Sequence, residues 1–330
     1  MTGGRFIAAP ADDATVAELG AAQRDNPFAT VAYADSRRRV GYAVWLLALR
    51  GADGDFATGC LGLLTTGRLN RTLEIPSLPA LGVDGAFWSG LGELCRSRGV
   101  TTLALDTFAS PAGTVIPELW ARSTRRDRQE FVVDLVGEAL TRLGSNHKRN
   151  VKKAQKAGLQ LTRTRGSDAV AVHHALMTSS LDRRRTRGEE VSDAAASKDH
   201  RAFLESQAGE LFQAVSGTTV LSSVLVLRAA TSGYYQSAGT SAEGMATGAS
   251  HFLIHAIGQA LQSEGATTFN LGGADEGSSL ARFKEGFGAR CVGLPSAQCE
   301  VGPHWRRVAT RAIEWVRRDR AAVRPPSGGE

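Results

Sequence analysis

The stretch whose reading decides the fold runs from Thr267 to Gly288, TTFNLGGADEGSSLARFKEGFG. Its opening, Thr267–Leu271, is a short apolar run of strand length. Gly272 and Gly273 break the run. A double glycine after a strand lets the backbone turn sharply and lets a ligand come close. Beyond a polar loop come Arg282 and Lys284, beside Phe283 and Phe287. Fixed cations next to aromatic rings suit a polyanion or a developing oxyanion against an apolar wall. The same residues also read as a plain strand, loop and solvated basic turn, and these positions alone do not separate the two.

Upstream lies an amphipathic helix, Ser250–Ser263, with Phe252, Ile254, Ile257 and Leu261 on its apolar side. A glycine-rich loop, Gly239–Gly248, precedes it. Three strands come before that loop: Leu211–Val215, Thr219–Arg228 and Gly233–Ala238. Further back are a helix over His200–Gln207, a helix from Asp168 to about Ser180 capped by Ser167, and a strand at Gln160–Thr164. Strands, loop, helix, strand is an α/β order, and it recurs in weaker form in the first half. There Val40–Leu49 and Cys60–Leu64 bracket a turn at Gly51–Gly54 and predict a hairpin. Leu73–Leu81 carries Pro76 and Pro79 and reads as an edge or an irregular crossing. Phe87–Arg98 has helical spacing, Gly99 ends it, and a strand over Val100–Leu105 leads to Asp106. Phe131–Leu135 is a further short strand. Residues 1–25 read as a loose start with a short helix, Asn26-Pro27-Phe28 as a turn, Pro303–Arg320 as a basic helix and Pro325–Glu330 as a disordered tail.

With 330 residues and 42% hydrophobic content, the chain suits two domains. Lys and Arg number 39 against 33 Asp and Glu, a net +6 that permits a phosphate-bearing partner without demanding one. No apolar run follows Met1 and no window reaches membrane-span length, so neither a signal peptide nor a membrane span is expected, and the protein is placed in the cytoplasm as a monomer. Cys60, Cys95, Cys291 and Cys299 form no C-x-x-C pair and are expected as reduced thiols. No Cys/His cluster predicts a metal.

Two basic segments stand out. A helix is expected over Leu140–Gly158. On it Lys148, Arg149, Lys152, Lys153 and Lys156 fall within an arc of about 140°. No acidic residue occurs between Gly144 and Gly166, which favours phosphate contact over a self-paired solvated face. The second segment, Asp182–Arg187, holds four arginines and reads as a cationic loop. An acyl-CoA enzyme cradles pyrophosphate on a (Q/R)-x-x-G-x-(G/A) loop. The corresponding place here is Met245–Ser250, where Met245 and Ser250 break the pattern. No G-x-x-x-x-G-K-[ST] occurs, so ATP activation is not expected.

The segment Leu271–Gly288, with Leu280, Phe283-Lys284 and Phe287-Gly288 at their spacing, resembles the C-terminal signature of the Fem family of aminoacyl-tRNA-dependent peptidyl transferases. Ser145–Leu159, SNHKRNVKKAQKAGL, resembles a second element of that family. The likeness spans roughly residues 26 to 300. Pro76–Pro79 matches the family's Gly/Pro-rich loop only approximately. The resemblance implies an α/β fold of tandem acetyltransferase (GNAT) type domains, with mixed sheets flanked by helices, divided as 1–158 and 159–302 and followed by the C-terminal helix and tail. It implies transfer of an amino acid from aminoacyl-tRNA to an amine of a small acceptor, an antibiotic-type intermediate or a peptidoglycan precursor, with no cofactor. In that frame Lys284 stabilises the reacting ester or terminal phosphate, and Asp106 orients or deprotonates the amine. Arg282, Phe283, Tyr235 and Ser237 contact substrate. Arg184 or Arg187 takes acceptor phosphate, and the five cations from Lys148 to Lys156 contact tRNA. Two other readings stay open: an acyl-CoA-dependent N-acetyltransferase of the same fold, and a non-catalytic RNA-binding module. The second lacks interleaved stacking aromatics, at 6% aromatic content.

Overall fold

The computed structural model describes residues 4–51, 54–65, 70–81, 85–118, 120–137, 142–186, 188 and 197–302. In the first half the order is β1 (Arg5–Pro10), α1 (Asp13–Ala22), α2 (Val31–Arg39), β2 (Ala43–Arg50), β3 (Phe56–Leu64), β4 (Thr72–Ile75), α3 (Ala86–Ser97), β5 (Thr102–Leu105) and β6 (Ser123–Asp134). After α4 (Ser145–Lys156) it continues as β7 (Gln160–Thr164), α5 (Ala169–Thr186), α6 (Ser197–Glu205), β8 (Gly209–Ser216), β9 (Thr219–Arg228), β10 (Ser232–Thr240), α7 (Ala242–Thr247), α8 (Ala249–Ser263), β11 (Thr268–Gly273), α9 (Ser279–Glu285) and β12 (Arg290–Glu300).

All twelve strands join in one mixed sheet, in the order β1-β2-β3-β4-β5-β12-β6-β11-β10-β9-β8-β7. Each half makes three antiparallel pairings and then one parallel step, β4 to β5 and β10 to β11. Each half then needs one more neighbour and takes it from the other. β12 lies between β5 and β6, and β6 lies between β12 and β11, all antiparallel. The two halves therefore repeat one topology and exchange their last strands. The strands of both halves thus share one continuous mixed sheet.

Helices cover both faces. Phe131, Phe212, Phe269, Leu253 and Ile257 fill the layer under α8. Phe28, Tyr33, Leu225, Phe203 and Tyr234 fill the opposite layer, where α2 and α6 meet. Trp45, Phe87, Leu91 and Leu103 pack under α3. Each fully buried side chain of this size contributes about 1.5–3 kcal/mol relative to exposure. The four cysteines are free thiols, with only Cys291 exposed. No helix among the described residues is long and apolar enough to cross a membrane.

Several sequence expectations change. Residues 5–10 form an edge strand, not a loose start, because they pair along their whole length with β2. Thr72–Ile75 is an interior strand. Pro76 follows its last residue, so the proline costs no ladder bond. The short strand at Phe131 extends back to Ser123, where β12 supplies partners for its polar residues. β12 itself went unread. The helix expected from Leu140 starts at Ser145, because the Gly144 N–H is bonded to the Gly286 carbonyl, 2.8 Å away. The loop expected at Asp182 is the last turn of α5. Arg183 bonds Ser179 and Ser180 there, and Arg185 pairs with Asp182 at 3.1 Å. The basic helix, the tail and Arg187 lie outside the described residues.

Candidate active site

The parallel step between β10 and β11 opens into a notch. Pairing runs only from Ser232 and Thr268 to Tyr234 and Asn270. Past that point β10 shifts register against β9 between Tyr235 and Ser237, and β11 shifts against β6 between Asn270 and Gly273. A bulge bends its strand and re-aims the side chains beyond it. Gly272 has φ +72°, and a Cβ there would sit 3.1 Å from the Tyr235 carbonyl, so glycine is required where the two strands part.

Helix α9 stands over this notch. Ser278 caps it, accepting from the Ala281 N–H at 3.0 Å. Phe287 anchors it in the core, and Lys284 points inward with 4% of its surface exposed. The Lys284 amine donates to the Gly273 carbonyl at 2.7 Å and lies 5.8 Å from the Tyr235 ring centre and 5.9 Å from that of Phe131. Burial lowers its pKa to about 7. Glu130 opposes that shift and Arg128 adds to it. Such an amine can hold or release a proton near neutrality.

A second buried charge anchors the floor. Glu130, 1% exposed, accepts from the Arg128 guanidinium (2.8 Å), the Tyr234 hydroxyl (2.9 Å), the Asn270 amide (2.7 Å) and the Ala109 N–H (3.1 Å). Four donors keep this carboxylate satisfied away from water. Sequence reading missed Glu130, which reads as one polar residue at the head of an apolar run. Asp106, at the end of β5, is half-buried. Burial raises its pKa, with Arg128 opposing. Glu74 on β4 is raised by burial and then by the Asp106 carboxylate. Asp106 thus occupies in the first half the place beside the parallel step that the notch holds in the second.

The other expected residues scatter. The ring of Tyr235 faces Lys284. Arg282 is exposed and donates to the Gly277 carbonyl at 2.6 Å. Phe283 is half-buried among His147, His251 and Phe287, with centroids 5.0 to 5.5 Å away, so it packs the core beside the notch. Ser237 turns to the α5 side, because the bulge intervenes between it and Tyr235. It bonds His173 at 2.9 Å and His200 at 3.2 Å. His173 goes on to Ser223 and His200 to His174, each at 2.9 Å. Burial, with the neighbouring histidines, lowers His173 to about 3 and His200 to about 4, so both are neutral at physiological pH. Arg184 lies in the last turn of α5, half-buried. Lys148, Arg149, Lys152, Lys153 and Lys156 are all exposed on α4. Arg149 bonds Asn146, and no ion pair to the four lysines occurs among the described residues.

The place of an acyl-CoA pyrophosphate loop is built differently from the open loop expected. β10 runs to Thr240, and α7 fills the stretch that follows. Its amides are bonded internally: Gly244 to the Ser241 hydroxyl, Met245 to the Ser241 carbonyl and Gly248 to the Met245 carbonyl. Gly248, at φ +80°, joins α7 to α8. A Cβ there would lie 2.7 Å from the Asn150 carbonyl of α4.

Residues 141–285 match the family of the acetyltransferase (GNAT) domain. The match covers less than half of the chain, and the fold is that of GNAT-type proteins. Among solved structures, FemX is similar over 88% of this chain and 96% of its own, at 13% identity and a TM-score of 0.65. The tandem GNAT protein from the clavulanic acid biosynthesis pathway is similar over 91% and 99%, at 15% identity and 0.53. L-PGS from Bacillus licheniformis is similar over 94% and 98%, at 12% identity and 0.56. No curated protein matches the sequence.

Proposed function

We propose that this chain forms an amide bond by moving an amino acid from aminoacyl-tRNA to an amine of a small acceptor, of the antibiotic-intermediate or peptidoglycan-precursor kind. Solved proteins of the fold include FemX and a tandem GNAT protein described as being without AcCoA, so the donor has to be argued from residues. The observation that carries the reading is the outer face of α4, five exposed cations on one helix that packs against α8. An RNA backbone supplies the repeated negative charge such a face lacks. The departures of Met245 and Ser250 from the pyrophosphate-loop pattern favour the same donor.

In this reading the donor ester lies over the notch. A neutral acceptor amine attacks the ester carbonyl, the C–N bond forms, the C–O bond to ribose breaks, and the amine proton ends on the ribose oxygen. Lys284 serves both ends. As the free amine it takes the proton shed at nitrogen, and as the ammonium it returns one to the leaving oxygen. Asp106 orients the acceptor amine. The test is incubation with charged tRNA pools or acetyl-CoA and candidate amines, read by mass spectrometry. Aminoacylated product from the tRNA arm supports the reading. Acetylated product alone moves the chain to the acyl-CoA class.

A further inference from the structure

Helix α4 has an inner face as well as an outer one, and that inner face reaches α9. His147, 7% exposed, is hydrogen-bonded through Nε2 to the Phe283 carbonyl at 2.8 Å. A carbonyl oxygen only accepts, so Nε2 carries the proton and Nδ1 is bare. Phe283 lies in the last turn of a short helix, where carbonyls lack intrahelical partners. The next residue is Lys284. Ring contacts hold the imidazole in place: Phe287 at 4.5 Å, His251 at 4.7 Å and Phe283 at 5.5 Å. Gly286 leaves the room, since a Cβ there would lie 2.1 Å from His147 Cε1. A backbone bond from the Gly144 N–H to the Gly286 carbonyl fastens the same two segments.

We propose that His147 is a positioning residue for Lys284, capping the last turn of α9 from α4 and so fixing how deep in the notch the amine sits. The proposal rests on the role given to Lys284 above. The helix that presents the cations thereby also sets the reacting amine. Lys284 gains its neutral character from burial, and that burial depends on α9 staying seated. The charged groups acting on the amine are Glu130 and Arg128 of β6, and the titratable group on the far side of the His147 ring is His251 of α8. None of them replaces the cap.

The chain has six lysines, so protein labelled at lysine Cε and Nζ gives six signals, and Lys284 is assigned by the one lost in Lys284→Arg. Its titration midpoint is then read in wild type, His147→Gln and His147→Phe, with folding checked by circular dichroism. Wild type should titrate at about 7. His147→Gln keeps an N–H for the Phe283 carbonyl and should stay near that value. His147→Phe keeps ring bulk without the donor. It should move the midpoint up by about one unit or more, as α9 loosens and water reaches the amine. Single-turnover transfer should then fall about tenfold or more, with tRNA binding unchanged. If His147→Phe does not fold, Gly286→Ala, which displaces the ring, reads the same midpoint. A wild-type midpoint in a folded His147→Phe or Gly286→Ala overturns the proposal. The midpoint needs no donor or acceptor. A chain that transfers nothing from tRNA therefore refutes the functional reading and leaves the positioning claim standing or falling by itself.

Discussion

A lysine amine that is 4% exposed and bonded to one backbone carbonyl gives up its charge readily. The folded value lies near 7 and the unfolded value near 10.5. Between the two, the unfolded chain holds a proton that the folded chain lacks, so stability rises with pH across that window by up to about 1.4 kcal/mol per unit. Lys284→Met removes this slope. Its thermal stability relative to wild type should be highest near pH 6 and decline toward pH 10, and a constant difference would mean that Lys284 titrates normally. Glu130 is a buried carboxylate with four donors. Glu130→Ala strands the Arg128 guanidinium, one of whose nitrogens already lacks a partner among the described residues. Loss of about 3–5 kcal/mol in denaturant unfolding is expected. Lys284 was legible in the sequence because it stands in a dense motif. Glu130 was not, because its partners beyond Arg128 come from the loop after β5, from β10 and from β11, and no local pattern joins them.

At the scale of elements, legibility followed local periodicity. Helix α8 and strands β8 to β10 carry it, and their bounds moved by a residue or two. β12, RCVGLPSAQCE, has Gly293 and Pro295 in its middle, and its alternation breaks phase at Pro295 and Ser296. Its pairing with β5 and β6 is entirely non-local. Helix α7 hides in a glycine-rich run that only the Ser241 cap organises. The cationic face of α4 was fully legible, because helical spacing alone defines it. Changing Lys148, Lys152 and Lys156 to Ala should weaken tRNA binding and flatten its dependence on salt, and unchanged affinity across a salt series would return α4 to a solvated face. Where α5 and α6 meet the sheet, His173 and His200 are neutral when folded and protonate near 6.5 when unfolded. Their contribution is complete above that pH and is lost as pH falls toward 4. Acid unfolding should therefore start below about pH 6.5, and His173→Gln should shift its onset downward.

The exchange of β6 and β12 makes the two halves one folding unit. A fragment covering residues 1–158 would leave β5 and β6 with open edges, and one from 159 onward would lack the strand between β11 and β12. Neither should give a soluble folded species alone, and co-expression should recover both. A folded, monomeric fragment 1–158 would show that the exchange is dispensable. The repeat behind this arrangement showed in the sequence only as a weaker recurrence of the element order and not as matching residues, because topology needs only matching apolar faces. The most direct test of the whole account is single-turnover acyl transfer from aminoacyl-tRNA and from acetyl-CoA by wild type and Lys284→Ala, followed from about pH 5.5 to 9. Transfer from the tRNA donor should rise with pH through about 7 as the Lys284 amine becomes free. Lys284→Ala should lose on the order of 10²–10³ in rate with tRNA binding kept. Transfer from acetyl-CoA alone, or near-normal turnover in a folded Lys284→Ala, would contradict the account.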